Sequence, residues 1–84
     1  MKLLWEEHAW EDYCYWQTQD KKTLKRINTL IKDIRRNGFD GKGKPEPLKN
    51  NSYWSRRIDE TNRLVYKQES DYIIIVACRG HYDD

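Results

Sequence analysis

A small set of residues in this chain has the types that phosphodiester chemistry needs. Glu46 is held between Pro45 and Pro47, Arg57 and Arg63 flank a short polar turn, and His81-Tyr82 stand near the C-terminus, with Lys44, Lys49 and Arg56 close by in sequence. RNA is cut by its own 2′-hydroxyl when a base takes the hydroxyl proton, cations offset the charge building on the phosphoryl oxygens, and an acid protonates the leaving 5′-oxygen. That reaction calls on no metal and no cofactor, and neither cysteine sits in a metal-ligand spacing. The expectation is therefore a site with no metal and no cofactor.

Each part has a candidate. Pro45 fixes its own φ and Pro47 drives the residue before it toward extended backbone, so the Glu46 carboxylate projects from a stiff segment and suits a general base. Arg57 and Arg63 suit phosphate oxygens because a guanidinium is a planar fork that stays charged, and Lys44, Lys49 and Arg56 can support them. Whether Arg57 and Arg63 share a face depends on the turn between them. A three- or five-residue loop sets them side by side, and a two- or four-residue loop sets them on opposite faces. His81 is the candidate acid, and Tyr82 can stack on a base or donate from its hydroxyl. Taken singly, each of these is more often a solvated side chain; their convergence is what points to a site.

The elements that must bring them together can be read from periodicity. Leu3, Leu4 and Trp5 open the chain as a brief strand, and Ala9, Tyr13 and Trp16 recur at helical spacing with Trp10 alongside. Asp20 is a good N-cap for a second helix, whose Leu24, Ile27, Leu30, Ile31 and Ile34 form one face while Lys and Arg take the other. Asn37-Gly38 ends it. Residues 38 to 51 read as a loop, Trp54 to Ile58 and Arg63 to Lys67 as a hairpin, and Tyr72 to Cys78 as a β-branched central strand. Arg79 and His81 are expected to continue that strand. The fold class is α+β: one domain over residues 1–84, with two N-terminal helices packed on a small, mostly antiparallel twisted sheet.

Composition limits the alternatives. Only 37% of the residues are hydrophobic, but four Trp and six Tyr allow a core in 84 residues. The net charge of +2 conceals a split: residues 6 to 20 carry five carboxylates and no Lys or Arg, whereas residues 21 to 57 carry twelve Lys or Arg against three acids. Such a split is the electrostatic footprint of a nucleic-acid partner. Cys14 and Cys78 read as small core residues and free thiols, His8 as a surface histidine, and no run is long enough to span a membrane. With no apolar leader before Leu3, the expected location is the cytoplasm.

Six blocks together carry a family resemblance: WEDYCYWQ at 10 to 17, INTLIKDIRR at 27 to 36, GKGKPEPLK at 41 to 49, WSRRI at 54 to 58, NRLVY at 62 to 66 and CRGHY at 78 to 82. In this order they resemble the YoeB toxins of bacterial toxin-antitoxin systems, within the RelE-like superfamily. The resemblance implies a microbial-ribonuclease-like fold and an endoribonuclease that cuts mRNA in the A site of the 70S ribosome and blocks translation. It implies Glu46 as general base, Arg63 as transition-state stabiliser, and His81 with Tyr82 completing the site, His81 as the acid. Supporting RNA contacts fall on Lys49 and Arg57. It implies a YefM-like antitoxin that covers the site, a toxin that tends to dimerise, and operator DNA reached only through the antitoxin complex.

The chain departs from that pattern twice. Asn50-Asn51-Ser52-Tyr53 bridges the PEPLK and WSRRI blocks more directly than in relatives, and Asp83-Asp84 follow the His-Tyr pair. Two readings from other classes compete with the nuclease. One is a non-catalytic RNA- or ribosome-binding module that uses the same basic surface; the other is an interaction domain whose basic face serves an acidic protein.

Overall fold

Asp20 divides the helical half of the chain. Its carboxylate accepts from the amides of Lys22 and Thr23 at 3.0 and 3.3 Å and from the Thr23 hydroxyl at 2.8 Å, which caps helix α2 (Lys21–Asn37). Those bonds, the Thr23 hydroxyl first, hold the Asp20 carboxyl below its ordinary pKa. Helix α1 (Glu7–Gln19) ends one residue earlier. The Tyr13 hydroxyl then donates to Asn28 Oδ1 at 2.7 Å, so residues at similar distances either side of Asp20 meet and the helices run antiparallel.

The computed structural model describes residues 1–49 and 52–81. Its strands are β1 (Lys2–Trp5), β2 (Glu46–Pro47), β3 (Trp54–Arg57), β4 (Arg63–Glu69) and β5 (Tyr72–Ala77), joined among the described residues in one sheet of order β1-β5-β4-β3-β2. The β5 run Tyr72-Ile73-Ile74-Ile75-Val76-Ala77 is interior, flanked by β1 and β4, as its apolar continuity requires. β1 pairs with β5 in parallel, Leu3 opposite Ile73, while the other pairings are antiparallel. The fold is α+β with two helices on one face of a mixed sheet.

Ala9, Trp16, Ile27, Leu30 and Ile34 from the helices meet Leu64, Tyr66, Ile73 and Ile75 from the sheet, all buried. The opposite face of β3 and β4 carries no helix. Two details differ from the expected pattern. On α1 the buried position between Ala9 and Trp16 is Asp12, not Tyr13, because Asp12 Oδ2 accepts from the Cys78 amide at 3.0 Å where β5 ends. Trp10 and Cys14 consequently lie on exposed faces, and Cys14 is not a core residue. Cys78 is buried, and burial together with the Asp12 carboxylate pushes its thiol up to about 12. His8 is exposed, with Nε2 3.5 Å from Asp12. No described helix is long and apolar enough to cross a membrane.

Candidate active site

The hairpin register decides the site. Arg57 pairs directly with Arg63 and Ser55 with Val65, so the connection between β3 and β4 is the five-residue segment 58–62 and the two arginines stand side by side. Asp59 shapes that connection, its carboxylate accepting from the amides of Thr61 and Asn62 at 2.8 and 2.7 Å and from the Asn62 side chain at 3.1 Å. Partial burial would raise the Asp59 pKa, but bonds from the Asn62 side chain and these amides outweigh it and hold the carboxyl below its ordinary value.

Glu46 is not in a loop. It forms β2 with Pro47 and pairs with Ser55, which puts it on the helix-free face beside Arg63. Pro47 is tolerated because β2 is the sheet edge, where a missing N–H breaks no ladder. Glu46 Oε1 lies 3.4 Å from Arg63 Nη2, and Arg63 Nη1 donates to the Ser55 hydroxyl at 3.1 Å. The Arg63 side chain is 15% exposed and that of Glu46 is 55% exposed. An ion pair this open contributes roughly 0–1 kcal/mol to stability, so its significance is positional. A guanidinium has five N–H donors, and these two bonds leave others for an anion.

Ser55 is 1% exposed and had no role from sequence. The signal available was strand alternation, which puts Ser55 and Arg57 on one face.

The C-terminal segment reaches the same place by a turn rather than by extending β5. Gly80 has φ +97°, a conformation that a side chain disfavours, and it turns the chain toward the start of β4. There the Gly80 carbonyl accepts from the Arg63 amide at 2.9 Å, and its amide donates to Asn62 Oδ1 at 2.8 Å. Arg79 departs to the helical side, its guanidinium 3.5 Å from the Tyr15 ring centroid, and Trp16 Nε1 donates to the Cys78 carbonyl at 2.9 Å. Exposed His81 therefore follows a residue bonded to the backbone of Arg63. Asn62 and Trp16 are positioning residues that sequence reasoning missed, one read as turn composition and the other as plain core.

Arg57 is exposed, its amide donating to Gly43 O at 2.7 Å and its carbonyl accepting from Arg26 at 3.1 Å. Lys44 and Lys49 are exposed on either side of Pro45–Pro47. Arg56 is the correction. One residue from Arg57 on a strand, it faces the helices and is fully buried, bonded to Asp33, to the Tyr66 hydroxyl at 3.2 Å, and to the carbonyls of Lys42, Gly38 and Asp40 at 3.0, 2.7 and 2.6 Å. It is not a surface cation for phosphate. Tyr82, the Asn50-Asn51 part of the shortened bridge and Asp83-Asp84 lie outside the described residues. Among the described residues no group of three His, Cys, Asp or Glu gathers where a metal ion could be held.

A base-type carboxylate and two adjacent guanidiniums on an open sheet face, with His81 following a residue bonded to the Arg63 backbone, have the chemistry to bind a phosphodiester and move protons around it. The family model for the YoeB-like toxin of bacterial type II toxin-antitoxin systems matches residues 5–82. The chain is 60% identical to "Toxin YoeB" of Escherichia coli K12, over 98% of this chain and 100% of that one. Its structure resembles the "YoeB/ParE toxin" of Agrobacterium tumefaciens with TM-score 0.93 at 44% identity, covering 98% of this chain and 100% of the other. It also resembles the toxin in a YoeB-YefM complex from Staphylococcus aureus, with TM-score 0.89 at 45% identity over 98% of both chains. The chain belongs to the YoeB-like toxins of bacterial type II toxin-antitoxin systems.

Proposed function

We propose that this toxin is a metal-independent endoribonuclease that cleaves mRNA in the ribosomal A site and so inhibits translation. The observation that carries the reading is Glu46 set 3.4 Å from Arg63 on the open sheet face, with Arg57 paired directly beside Arg63. Glu46 takes the 2′-hydroxyl proton as O2′ bonds to phosphorus, and Arg63 with Arg57 neutralises the charge growing on the phosphoryl oxygens. As the P–O5′ bond breaks, the leaving oxygen takes a proton from His81. The products are a 2′,3′-cyclic phosphate and a 5′-hydroxyl. Tyr82 completes the site, and Lys44 and Lys49 attract the strand on either side of the scissile bond. An open site with one base and one acid depends on its substrate being held for attack, which the ribosome supplies.

The partner is a YefM-like antitoxin, supported by the likeness to the YoeB-YefM complex, and a second copy of the chain is supported by the likeness to a YoeB dimer from S. aureus. Operator DNA is reached only through the antitoxin complex. Primer extension on an mRNA with and without ribosomes tests the reading. Cleavage should need the ribosome, and Glu46→Ala, Arg63→Ala and His81→Ala should each abolish most of it. If all three variants keep wild-type cleavage, the catalytic assignment of these residues is wrong; if the wild-type protein binds ribosomes without cutting the mRNA, it is a non-catalytic binding module.

A further inference from the structure

Glu46 has little of its own to hold it. β2 is two residues long, its pairing limited to Glu46 with Ser55 and Pro47 with Trp54, and Leu48 adds one bond to the Tyr53 carbonyl at 2.9 Å. A two-residue edge strand does not fix a side chain unless the segment leading into it is fixed. That segment, 38–44, has no helix or strand of its own.

It is wrapped around one side chain. The Arg56 guanidinium, fully buried, bonds to the carbonyls of Gly38, Asp40 and Lys42 and to Asp33, whose Oδ2 also accepts from the Lys42 amide at 3.0 Å. Alternate carbonyls of the segment thus turn inward onto a single cation. Tyr66 closes another side, its hydroxyl accepting from Arg56 Nε and donating to Gly38 O at 3.1 Å, while Phe39 stacks on Trp54 at 4.5 Å. The path then meets β3. Gly43 O accepts from the Arg57 amide at 2.7 Å, and a Cβ on Gly43 would come within 2.9 Å of Leu30 Cδ2, 3.1 Å of Arg57 O and 3.2 Å of Arg56 Cβ. Three residues later comes Glu46.

We infer that Arg56 is a positioning residue for the general base: from the helical side of the sheet it templates the 38–44 segment that delivers Glu46 to Arg63 on the open side. The inference rests on Glu46 acting as the base. It assigns the two adjacent arginines opposite duties, Arg57 facing substrate and Arg56 facing the segment that carries the base.

The test is a double-mutant cycle on ribosome-dependent mRNA cleavage, with rates taken per folded molecule from melting curves. Arg56→Lys keeps the charge but has three donors on a point-like head, too few to satisfy the three carbonyls, Asp33 and Tyr66 together. It should lower kcat by about 100-fold with KM unchanged, the cost of misplacing a reacting group by about 1 Å. In a Glu46→Gln background the same substitution should cause no further loss, because no base remains to be misplaced. Gly43→Ala, which displaces the segment without touching the guanidinium, should repeat the pattern and serves as the second variant if Arg56→Lys does not fold.

An equal loss in both backgrounds, or an unchanged kcat in the Arg56→Lys and Gly43→Ala proteins, overturns the positioning role and leaves Glu46 as the base. An unchanged rate in Glu46→Gln alone overturns the base assignment and this inference with it.

Discussion

Ser55 gives the site one hydroxyl, and its effect should exceed its size. Buried and opposite Glu46, it fixes Arg63 Nη1 so that Nη2 faces the carboxylate. A hydrogen bond to a charged group contributes about 1.5–3 kcal/mol, so Ser55→Ala should slow ribosome-dependent cleavage roughly tenfold or more. Stability should change little, because the shortened side chain leaves Arg63 able to reach solvent. Single-turnover rates beside a urea melt separate the two effects. At this scale the sequence told the chemistry of the residues better than their direction. Glu46, Arg57, Arg63 and His81 were legible as types, but Arg56 and Arg57 are chemically identical neighbours, and only strand parity separates them. The parity was present in Trp54, Arg56 and Ile58, an apolar-bounded row that points to the core. A buried arginine among carbonyls is uncommon enough that composition favours the surface reading.

The elements explain what holds the residues in register, and two of their joints can be broken separately. Asn62 clips the C-terminal segment to the hairpin by accepting from the Gly80 amide and donating to Asp59. Asn62→Ala leaves that amide without its acceptor and should cost about 1–2 kcal/mol in a urea melt. Its cleavage defect should match that of His81→Ala more than that of Arg57→Ala, since the clip carries the segment of His81. The other joint is Asp33 in α2 with Arg56 in β3. The Arg56 hydrogen bond, aided by the Lys42 amide, holds the Asp33 carboxyl below its ordinary value. A carboxylate depressed in the folded state stabilises the fold above the unfolded pKa of about 3.9 and loses that contribution as pH falls through the lower folded value. The stability gap between wild type and Asp33→Asn, wide at pH 6, should therefore shrink as urea midpoints are taken down through pH 4 and below. A gap independent of pH would mean that Asp33 does not titrate with folding. Helices, caps and the β5 run were legible because each is local: Asp20, Asn37-Gly38 and the five consecutive β-favouring residues Tyr72 to Val76. β2 and the turn at Gly80 were not, because both are set by long-range partners, Ser55 for one and Arg63 with Asn62 for the other.

Over the whole molecule, the basic half of the charge split read from sequence is shared between the two sides of the sheet. The helix-free face holds Glu46, Arg57 and Arg63, while α2, on the other side of the sheet, exposes Lys21, Lys22, Lys25, Lys32, Arg35 and Arg36. The acid inside that helix, Asp33, is engaged by Arg56, so the helix surface is a field of one sign. Under the proposed function, a single mRNA strand lying in the site would not reach the far face, so cations there would act on whatever presents the strand. On a ribosomal substrate that is folded RNA, and each phosphate neutralised releases counterions, adding about 0.7–0.9 to the slope of log affinity against log salt. We expect Lys25→Ala, Lys32→Ala and Arg36→Ala combined to flatten the salt dependence of KM for ribosome-bound mRNA and to leave kcat at low salt unchanged. Arg57→Ala should lower kcat as well, because its charge acts at the reacting phosphate. Salt titrations of both parameters on the two proteins give the comparison. An unchanged slope in the triple variant would confine RNA recognition to the open sheet face and make the basic helix a solvated surface.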